Sequence, residues 1–216
     1  MNADIKINYQ KLLDKILEDI KNTEIHPSLL IHACCAPCSS YVTEYLSDYF
    51  NITLLYYNPN IFPAEEYDFR ANELRRLVAE MKNIKNVKTV IESYDPRDFD
   101  GISRGLEELP EGGERCHKCY RLRLEHAAQY ARSHNYDYFC TTLSISPHKN
   151  STVLNRIGFE LAESYGVSYL PSDFKKRNGY RRSCELSEQY NLYRQDYCGC
   201  RFSALEAEKR RSTRNI

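Results

Sequence analysis

The chain has 216 residues, of which 42% are apolar, so it is long enough to bury a core and too hydrophobic to be disordered throughout. Its 30 Lys and Arg residues balance its 30 Asp and Glu residues. This balance excludes a protein that binds nucleic acid through a uniformly basic surface, and any RNA contact must come from local patches.

Segments with the apolar pattern of buried strands alternate along the chain with segments that repeat apolar residues at helical spacing. Strands are predicted over residues 28–33, 52–57, 87–91, 136–142 and 167–170. Helices are predicted over residues 7–21, 37–49, 64–81, 119–133, 153–165 and 180–195, and a loop with one short helix over 92–115. This alternation predicts βαβ units, and hence a parallel sheet of about five strands with helices on both faces.

One α/β domain is expected over residues 28–203, between an N-terminal helix in residues 1–27 and a charged tail over 204–216 that is frayed from Ala207. Ligands of parallel α/β sheets bind beyond the carboxyl ends of the strands. The segments that follow the strands are therefore the expected rim of the site: residues 34–39, 58–63, 92–95, 143–150 and 171–180.

Nine cysteines are the outlying feature of the composition. The N-terminal segment lacks the pattern of a signal peptide, and no apolar run is long enough for a membrane helix. A cytoplasmic protein with no membrane partner is therefore expected. In that reducing compartment, clustered cysteines favour metal binding or redox chemistry over a disulfide framework.

Seven of the cysteines form three clusters. They are Cys34, Cys35 and Cys38 after the first strand, Cys116 and Cys119 entering a helix, and Cys198 and Cys200 near the C-terminus. Pairs with the C-x2-C spacing serve zinc and iron–sulfur sites alike, so the spacing leaves the metal open. A disulfide between Cys198 and Cys200 would close a small, strained ring and be easily reduced, which suits a redox couple. The alternative is that these two thiols are further metal ligands.

Five motifs in order carry a resemblance to a known family. They are CCAPCS, YYNPNI, ERCHKCYRLRLE, TTLSISPHKN and YCGC, and together they resemble the cobalamin-independent epoxyqueuosine reductases over residues 28–203. The resemblance implies a nucleotide-binding α/β fold of the HUP group, which includes the ATP pyrophosphatases. It also implies an enzyme that reduces epoxyqueuosine, at the wobble position of tRNA, to queuosine with electrons from a donor that the sequence does not identify.

The same resemblance implies cofactors and ligands. A [4Fe-4S] cluster falls on Cys34, Cys35, Cys116 and Cys119, and a redox-active pair falls on Cys198 and Cys200. An additional iron is associated with the family's site, and its ligands are left open. Cys38 has no assigned role and is retained as a further possible ligand.

Two other segments supply candidates. His148 and Lys149 follow a predicted central strand, where they could donate a proton to the leaving oxygen or hold a phosphate, unless the segment is a solvated loop. A second segment, FKKRNGYRR, mixes cations with aromatic residues in a way that suits RNA, although a solvated charged face is equally open. Its cations are Lys175, Lys176, Arg177, Arg181 and Arg182.

Two other functions stay open on the residues alone. An ATP-dependent or tRNA-thiolating enzyme of related fold would need a glycine-rich phosphate loop after the first strand, and residues 34–40 contain no glycine. A zinc-stapled RNA-binding module would bind zinc and would need no redox-active cysteine pair.

Overall fold

The five apolar segments pair side by side as parallel strands in a computed structural model that describes residues 7–23 and 25–214. The strands are β1 (Ser28–His32), β2 (Asn51–Tyr56), β3 (Val87–Ile91), β4 (Tyr138–Thr141) and β5 (Ser168–Tyr169). Their order across the sheet is β3-β2-β1-β4-β5, and every neighbouring pair is parallel. The predicted α/β fold with a five-stranded parallel sheet is confirmed.

Eight helices and one 3₁₀ turn are present in the described residues. The helices are α1 (Tyr9–Lys21), α2 (Ala36–Leu46), α3 (Ala64–Glu80), α4 (Arg97–Ser103), α5 (Glu114–Ser133), α6 (Ser151–Tyr165), α7 (Gly179–Gln189) and α8 (Arg201–Arg214), and the 3₁₀ turn covers Thr142–Ile145. All six predicted helices exist, and α4 is the short helix expected between residues 92 and 115. Among these helices, none is long and apolar enough to cross a bilayer.

Two boundaries differ from the sequence prediction in ways that affect the site. Helix α5 begins at Glu114 rather than at Cys119, so Cys116 and Cys119 both lie in its first two turns. The tail that was predicted to be frayed from Ala207 is instead part of α8. Buried Ser203 and Ala207 attach this helix to the rest of the protein, and its remaining turns are too polar for the hydrophobic pattern to reveal it.

The order of the strands fixes where a ligand can bind. From β1 the chain winds outward to β2 and β3, and it then crosses back to add β4 and β5 on the other side of β1. The loops after β1 and β4 therefore diverge to opposite faces of the sheet and leave a crevice at the carboxyl edge between them. The segment that begins at Cys34 follows β1, and the 3₁₀ turn that begins at Thr142 follows β4.

Close packing between α6 and β5 depends on a glycine. A Cβ atom at Gly158 would overlap the ring of Tyr169, which is buried against the sheet. Gly101 in α4, by contrast, has no atom within 4 Å of the position that a Cβ would occupy. The two glycines therefore differ in packing although both are helical.

This difference predicts opposite effects of alanine. Gly158→Ala should lower the free energy of unfolding by about 1–3 kcal/mol, because Tyr169 must move to relieve the overlap. Gly101→Ala should leave it unchanged or raise it by up to about 1 kcal/mol, because alanine is the better helix former. Urea denaturation of both variants measures the two changes. Equal effects would mean that the α6–β5 contact adapts freely.

Candidate cysteine-rich active site

Cys34, Cys35 and Cys38 form a compact group of thiols at the carboxyl end of β1, hereafter the thiol triad. The Cys34 and Cys35 sulfurs lie 3.8 Å apart, and the three sulfurs all lie within 4.8 Å of one another. Cys35 caps α2 in an extended conformation, and Pro37 in the first turn fixes the start of the helix. The local chain thus turns Cys38 back toward the two preceding thiols.

The pKa values of the three thiols in the triad are shifted in opposite directions. Hydrogen bonds from Cys35 and Cys38 lower the pKa of Cys34 well below its ordinary value, although burial opposes this effect. The Thr142 hydroxyl also donates to the Cys34 sulfur at 3.4 Å. Donation to Cys34 raises the pKa of Cys35 to about 12 and raises that of Cys38 as well. The group therefore presents one thiolate that is ready to bind a metal and two thiols that can deprotonate as a metal binds.

A soft metal suits this donor set. Convergent thiols are ligands that zinc, copper(I) and iron–sulfur clusters share, so the triad can hold a metal without specifying which one. The sequence left Cys38 without a role, and the structure brings its sulfur into the same group as those of Cys34 and Cys35.

Cys116 and Cys119 are held in place by the start of α5. The buried side chain of Arg115 donates hydrogen bonds to the carbonyls of Leu106, Glu107 and Leu109, which fastens the preceding loop to the helix. The Gly112 N–H donates to the Cys116 sulfur at 3.2 Å. Burial raises the pKa of Cys119 to about 12. Burial raises the pKa of Cys116 as well, so both α5 thiols favour the protonated form more than a free thiol does.

The α5 thiols are separate from the triad in this structure. Among the described residues, the triad is the one group of three or more Cys, His, Asp or Glu ligand atoms gathered closely enough to hold a metal, and neither Cys116 nor Cys119 is part of it. The four-cysteine ligand set of Cys34, Cys35, Cys116 and Cys119 therefore stays a prediction.

Arg123 links the cysteine clusters, and the sequence reasoning missed it. Its guanidinium is 1% exposed, and it donates to the Cys119 carbonyl at 3.3 Å and to the Asn58 side-chain oxygen at 3.3 Å. Its Nη2 atom is buried and has no hydrogen-bond partner. Burial disfavours the charge, but interactions with Cys119, Cys198 and Cys34 more than offset it and raise the pKa of Arg123. One available signal was its place in ERCHKCYRLRLE, one helical turn after Cys119.

A second buried arginine supports the other side of the site. The Arg70 side chain is 3% exposed and pairs with Glu66 at 2.7 Å. It donates to the Cys198 carbonyl at 3.4 Å, and its guanidinium carbon lies 5.3 Å from the centre of the Tyr197 ring. Arg70 thereby holds the segment that carries Cys198 against α3.

The Cys198-Gly199-Cys200 segment depends on its glycine. Gly199 has a φ of 113°, and a Cβ atom there would lie 2.8 Å from Arg70 Nη1, so both backbone and space require glycine. Cys198 is partly exposed, and the Lys149 ammonium lies 3.3 Å from its sulfur. Cys200 is buried, and burial raises its pKa. All nine cysteines are free thiols, so the expected disulfide stays a prediction.

These groups surround a cavity of 570 Å³, which is large enough for a nucleoside. Its lining includes the thiol triad, Cys198, Arg70, Arg123 and Lys149. The exposed His148 also lines the cavity, so both candidates from the segment after β4 reach it. Toward the mouth, the lining includes Tyr180, Arg194, Arg210 and Arg211.

The other predicted RNA-binding residues lie elsewhere or have partners. Lys175 pairs with Asp173, Arg177 with Asp14, Arg181 with Glu185, and Arg182 with Glu44, at distances of 2.6 to 3.1 Å. Lys176 is exposed. Four of the five cations in the 175–182 segment are thus already neutralised by carboxylates, and none of the five lines the cavity.

Comparison of the sequence with known proteins identifies one family. Residues 29–206 match the family model described as epoxyqueuosine reductase QueH. The chain is 45% identical to the epoxyqueuosine reductase QueH of Streptococcus pyogenes serotype M1, across 94% of this chain and 81% of that protein. It is 43% identical to the protein of the same name from Staphylococcus epidermidis, across 93% and 86% of the two chains. It is 34% identical to the one from Thermotoga maritima, across 85% and 93%.

The geometry of the triad predicts that Cys38 is needed to hold metal. Cys38→Ala should weaken metal binding by at least about tenfold, because losing a direct ligand costs more than losing an outer partner. Iron and sulfide content after anaerobic reconstitution measures the effect. Cys184→Ala is the matched control, since Cys184 lies in α7 and does not line the cavity. Wild-type metal content in the Cys38 variant would remove Cys38 from the site.

Proposed function

Because the chain belongs to the epoxyqueuosine reductase QueH family, we propose that its cysteine-lined cavity reduces the epoxide of epoxyqueuosine in tRNA to the alkene of queuosine. The observation that supports this most directly is the meeting of the triad, Cys198 and two buried arginines around one nucleoside-sized cavity. Such a reaction needs a carrier of electrons and a space for the substrate, and the thiols and the cavity are the groups that could provide them.

The reaction needs two electrons and two protons for each epoxide, and it releases the oxygen as water. Oxidation of the Cys198–Cys200 pair to a disulfide supplies the two electrons, and the protons come from the pair, from a donor in the cavity and from solvent. Cys198 faces the cavity, and Cys200 lies two residues along the chain beneath it. We therefore assign this pair as the dithiol that is oxidised once in each turnover.

The remaining thiols are assigned to the metal centre. Cys34, Cys35, Cys116 and Cys119 are the proposed ligands of a [4Fe-4S] cluster, and Cys38 is a candidate ligand of an additional iron. When bound, such a centre supplies single electrons and a Lewis acid for the epoxide oxygen. Arg123 and Arg70 place positive charge beside these thiols and so offset the repulsion among several thiolates in a buried site.

His148 is the proposed donor of a proton to the leaving oxygen. It lines the cavity, and its backbone N–H is tied to the Ser146 hydroxyl at 3.3 Å, which restrains the loop that carries it. Lys149, the other candidate, contacts the Cys198 sulfur instead. The electron donor stays unidentified, and a cytoplasmic location, where free thiols persist, stays part of the proposal.

The mouth of the cavity suits the anticodon loop better than the 175–182 segment does. Arg194 lies there with its guanidinium carbon 5.9 Å from the centre of the Tyr180 ring, and it donates to Ser187. Within the described residues Arg194 has no carboxylate partner, whereas Arg211 pairs with Asp196. An unpaired cation beside an exposed aromatic ring suits a phosphate and a stacked base. We therefore assign Arg194 to RNA binding ahead of the ion-paired 175–182 segment.

Turnover on tRNA tests the proposed function. The anaerobic, metal-loaded protein should convert epoxyqueuosine to queuosine in tRNA many times over when a reductant is supplied, as measured by mass spectrometry of the released nucleosides. Cys200→Ser should retain its iron and sulfide yet lose multiple turnover, because serine cannot form the disulfide. No queuosine from the wild-type protein would overturn the function. Loss of iron in the serine variant would make Cys200 a metal ligand instead.

The assignment of Arg194 predicts an effect that depends on the length of the substrate. Arg194→Glu should raise the apparent KM several-fold for an anticodon stem-loop and reduce the slope of its salt dependence by about one, because one phosphate contact is lost. Turnover of the free nucleoside should change far less. Arg132→Glu makes the same charge change on an exposed residue at the far end of α5 and should alter neither. Equal losses on both substrates would place Arg194 in the catalytic centre.

A further inference from the structure

The two thiols of the Cys198-Gly199-Cys200 segment have different surroundings. Cys198 is partly exposed and lines the cavity. Cys200 is 7% exposed and packs with Phe99 and Cys119, beside Phe202. The Ser203 N–H also donates to the Cys200 sulfur at 3.4 Å. A reagent that enters the cavity can therefore reach Cys198, whereas the surrounding side chains shield Cys200 from it.

Lys149 adds a charge to this difference. Its ammonium lies 3.3 Å from the Cys198 sulfur, and among the described residues no carboxylate forms an ion pair with it. The other ionisable groups that act on it are Tyr120, Arg123 and Cys34. The ammonium is partly buried, and Cys198 is the group that contacts it, so the positive charge acts directly on this sulfur.

The chain on both sides of Lys149 is fastened, which fixes the reach of the side chain. The Lys149 N–H donates to the Ser146 carbonyl at 3.2 Å. On the other side, the Asn150 side chain caps α6 by accepting hydrogen bonds from Thr152 and Val153. The backbone that carries Lys149 is therefore fixed by hydrogen bonds that do not involve either thiol of the pair.

We propose that the thiol pair works in one direction. Cys198, the cavity-facing sulfur beside the Lys149 ammonium, exchanges with an external dithiol, and Cys200 is the buried resolving thiol. This inference rests on the proposed function and deepens it. Lys149 is a positioning residue, because it acts through Cys198. The electron donor is accordingly of the dithiol class.

The exchange balances as follows in atoms and electrons. After turnover the pair is a disulfide, and a thiolate of the external dithiol attacks the accessible Cys198 sulfur. The Cys198–Cys200 bond breaks, and its electron pair leaves on Cys200, which takes a proton. The second thiolate of the reductant then attacks the reductant's own sulfur in the mixed disulfide, and Cys198 leaves as an anion paired with Lys149. One external dithiol becomes a disulfide, and of its two protons one is on Cys200 and one is in solvent.

The positions of Cys198 and Lys149 explain the role of each in this exchange. Access decides which sulfur of the pair is attacked, and Cys198 lines the cavity whereas Cys200 does not. Stabilisation of the leaving anion decides how fast the mixed disulfide is resolved, and the ammonium stabilises Cys198. Removing the charge should therefore slow the release of Cys198 as well as its reaction with an electrophile.

The first test measures the reactivity of Cys198 in the reduced, metal-loaded protein under anaerobic conditions. Alkylation by iodoacetamide, followed at each cysteine by peptide mass spectrometry, should be about tenfold slower at Cys198 in Lys149→Met. Lys149→Arg should restore most of the rate because it keeps the charge. Lys88→Met, on the exposed face of β3, is the matched control and should leave the rate unchanged. A wild-type rate in Lys149→Met at wild-type iron content would overturn the role of Lys149.

The second test measures which thiol of the pair reacts first with an external disulfide. Cys200→Ser and Cys198→Ser, both metal-loaded, are treated with an aromatic disulfide that leaves a mixed disulfide on the reacting thiol. Cys198 in the first variant should be labelled much faster than Cys200 in the second. Equal or reversed rates would overturn the direction even if the enzyme reduces epoxyqueuosine. Absence of queuosine from the wild-type protein would overturn the proposed function instead, while the labelling rates would still report on the thiols themselves.

Discussion

A buried guanidinium among thiols is the constraint on which the site depends. Arg123 cannot keep its charge in the interior without partners, and it finds them in the Cys119 carbonyl and in Asn58, beside the cysteine clusters. Asn58 in turn donates to the Ala33 carbonyl at 2.9 Å, directly before the thiol triad. One charge thus ties α5, the loop after β2 and the loop after β1 into a single arrangement.

The parallel sheet brings these loops to one edge. His32, at the end of β1, lies 3.0 Å from both the Thr141 hydroxyl of β4 and the Tyr57 carbonyl after β2. Burial, helped by the charge of Arg123, lowers the pKa of His32 to about 3, so the ring is neutral and can both donate and accept. The ends of three strands are therefore locked together just below the triad. This locked edge is the base on which the three sulfurs of the triad lie close together.

Cysteines occupy the position after the first strand at which many parallel α/β folds bind a phosphate. A helix that starts after the first strand of a parallel sheet commonly presents free N–H groups to a phosphate, and glycines let the phosphate approach. Here α2 starts with Cys35 as its cap and Pro37 in its first turn, and the three sulfurs of the triad lie together at this position. The same strand order therefore places a possible metal site at the edge where related folds hold phosphate.

Local pattern by itself determined the sheet and the edge where the chemistry lies. The apolar segments and their spacing fixed five parallel strands, and the cysteines after β1 had to lie at the carboxyl edge because they follow the strand directly. Only the tertiary structure decided which side chains meet there. Packing pairs Arg177 and Arg182 with Asp14 and Glu44, which are 163 and 138 residues distant in sequence. Lys149 and Cys198, 49 residues apart, meet for the same reason. Periodicity records the neighbours along one element, whereas ion pairs and buried charges depend on how elements pack, and no local spacing encodes that.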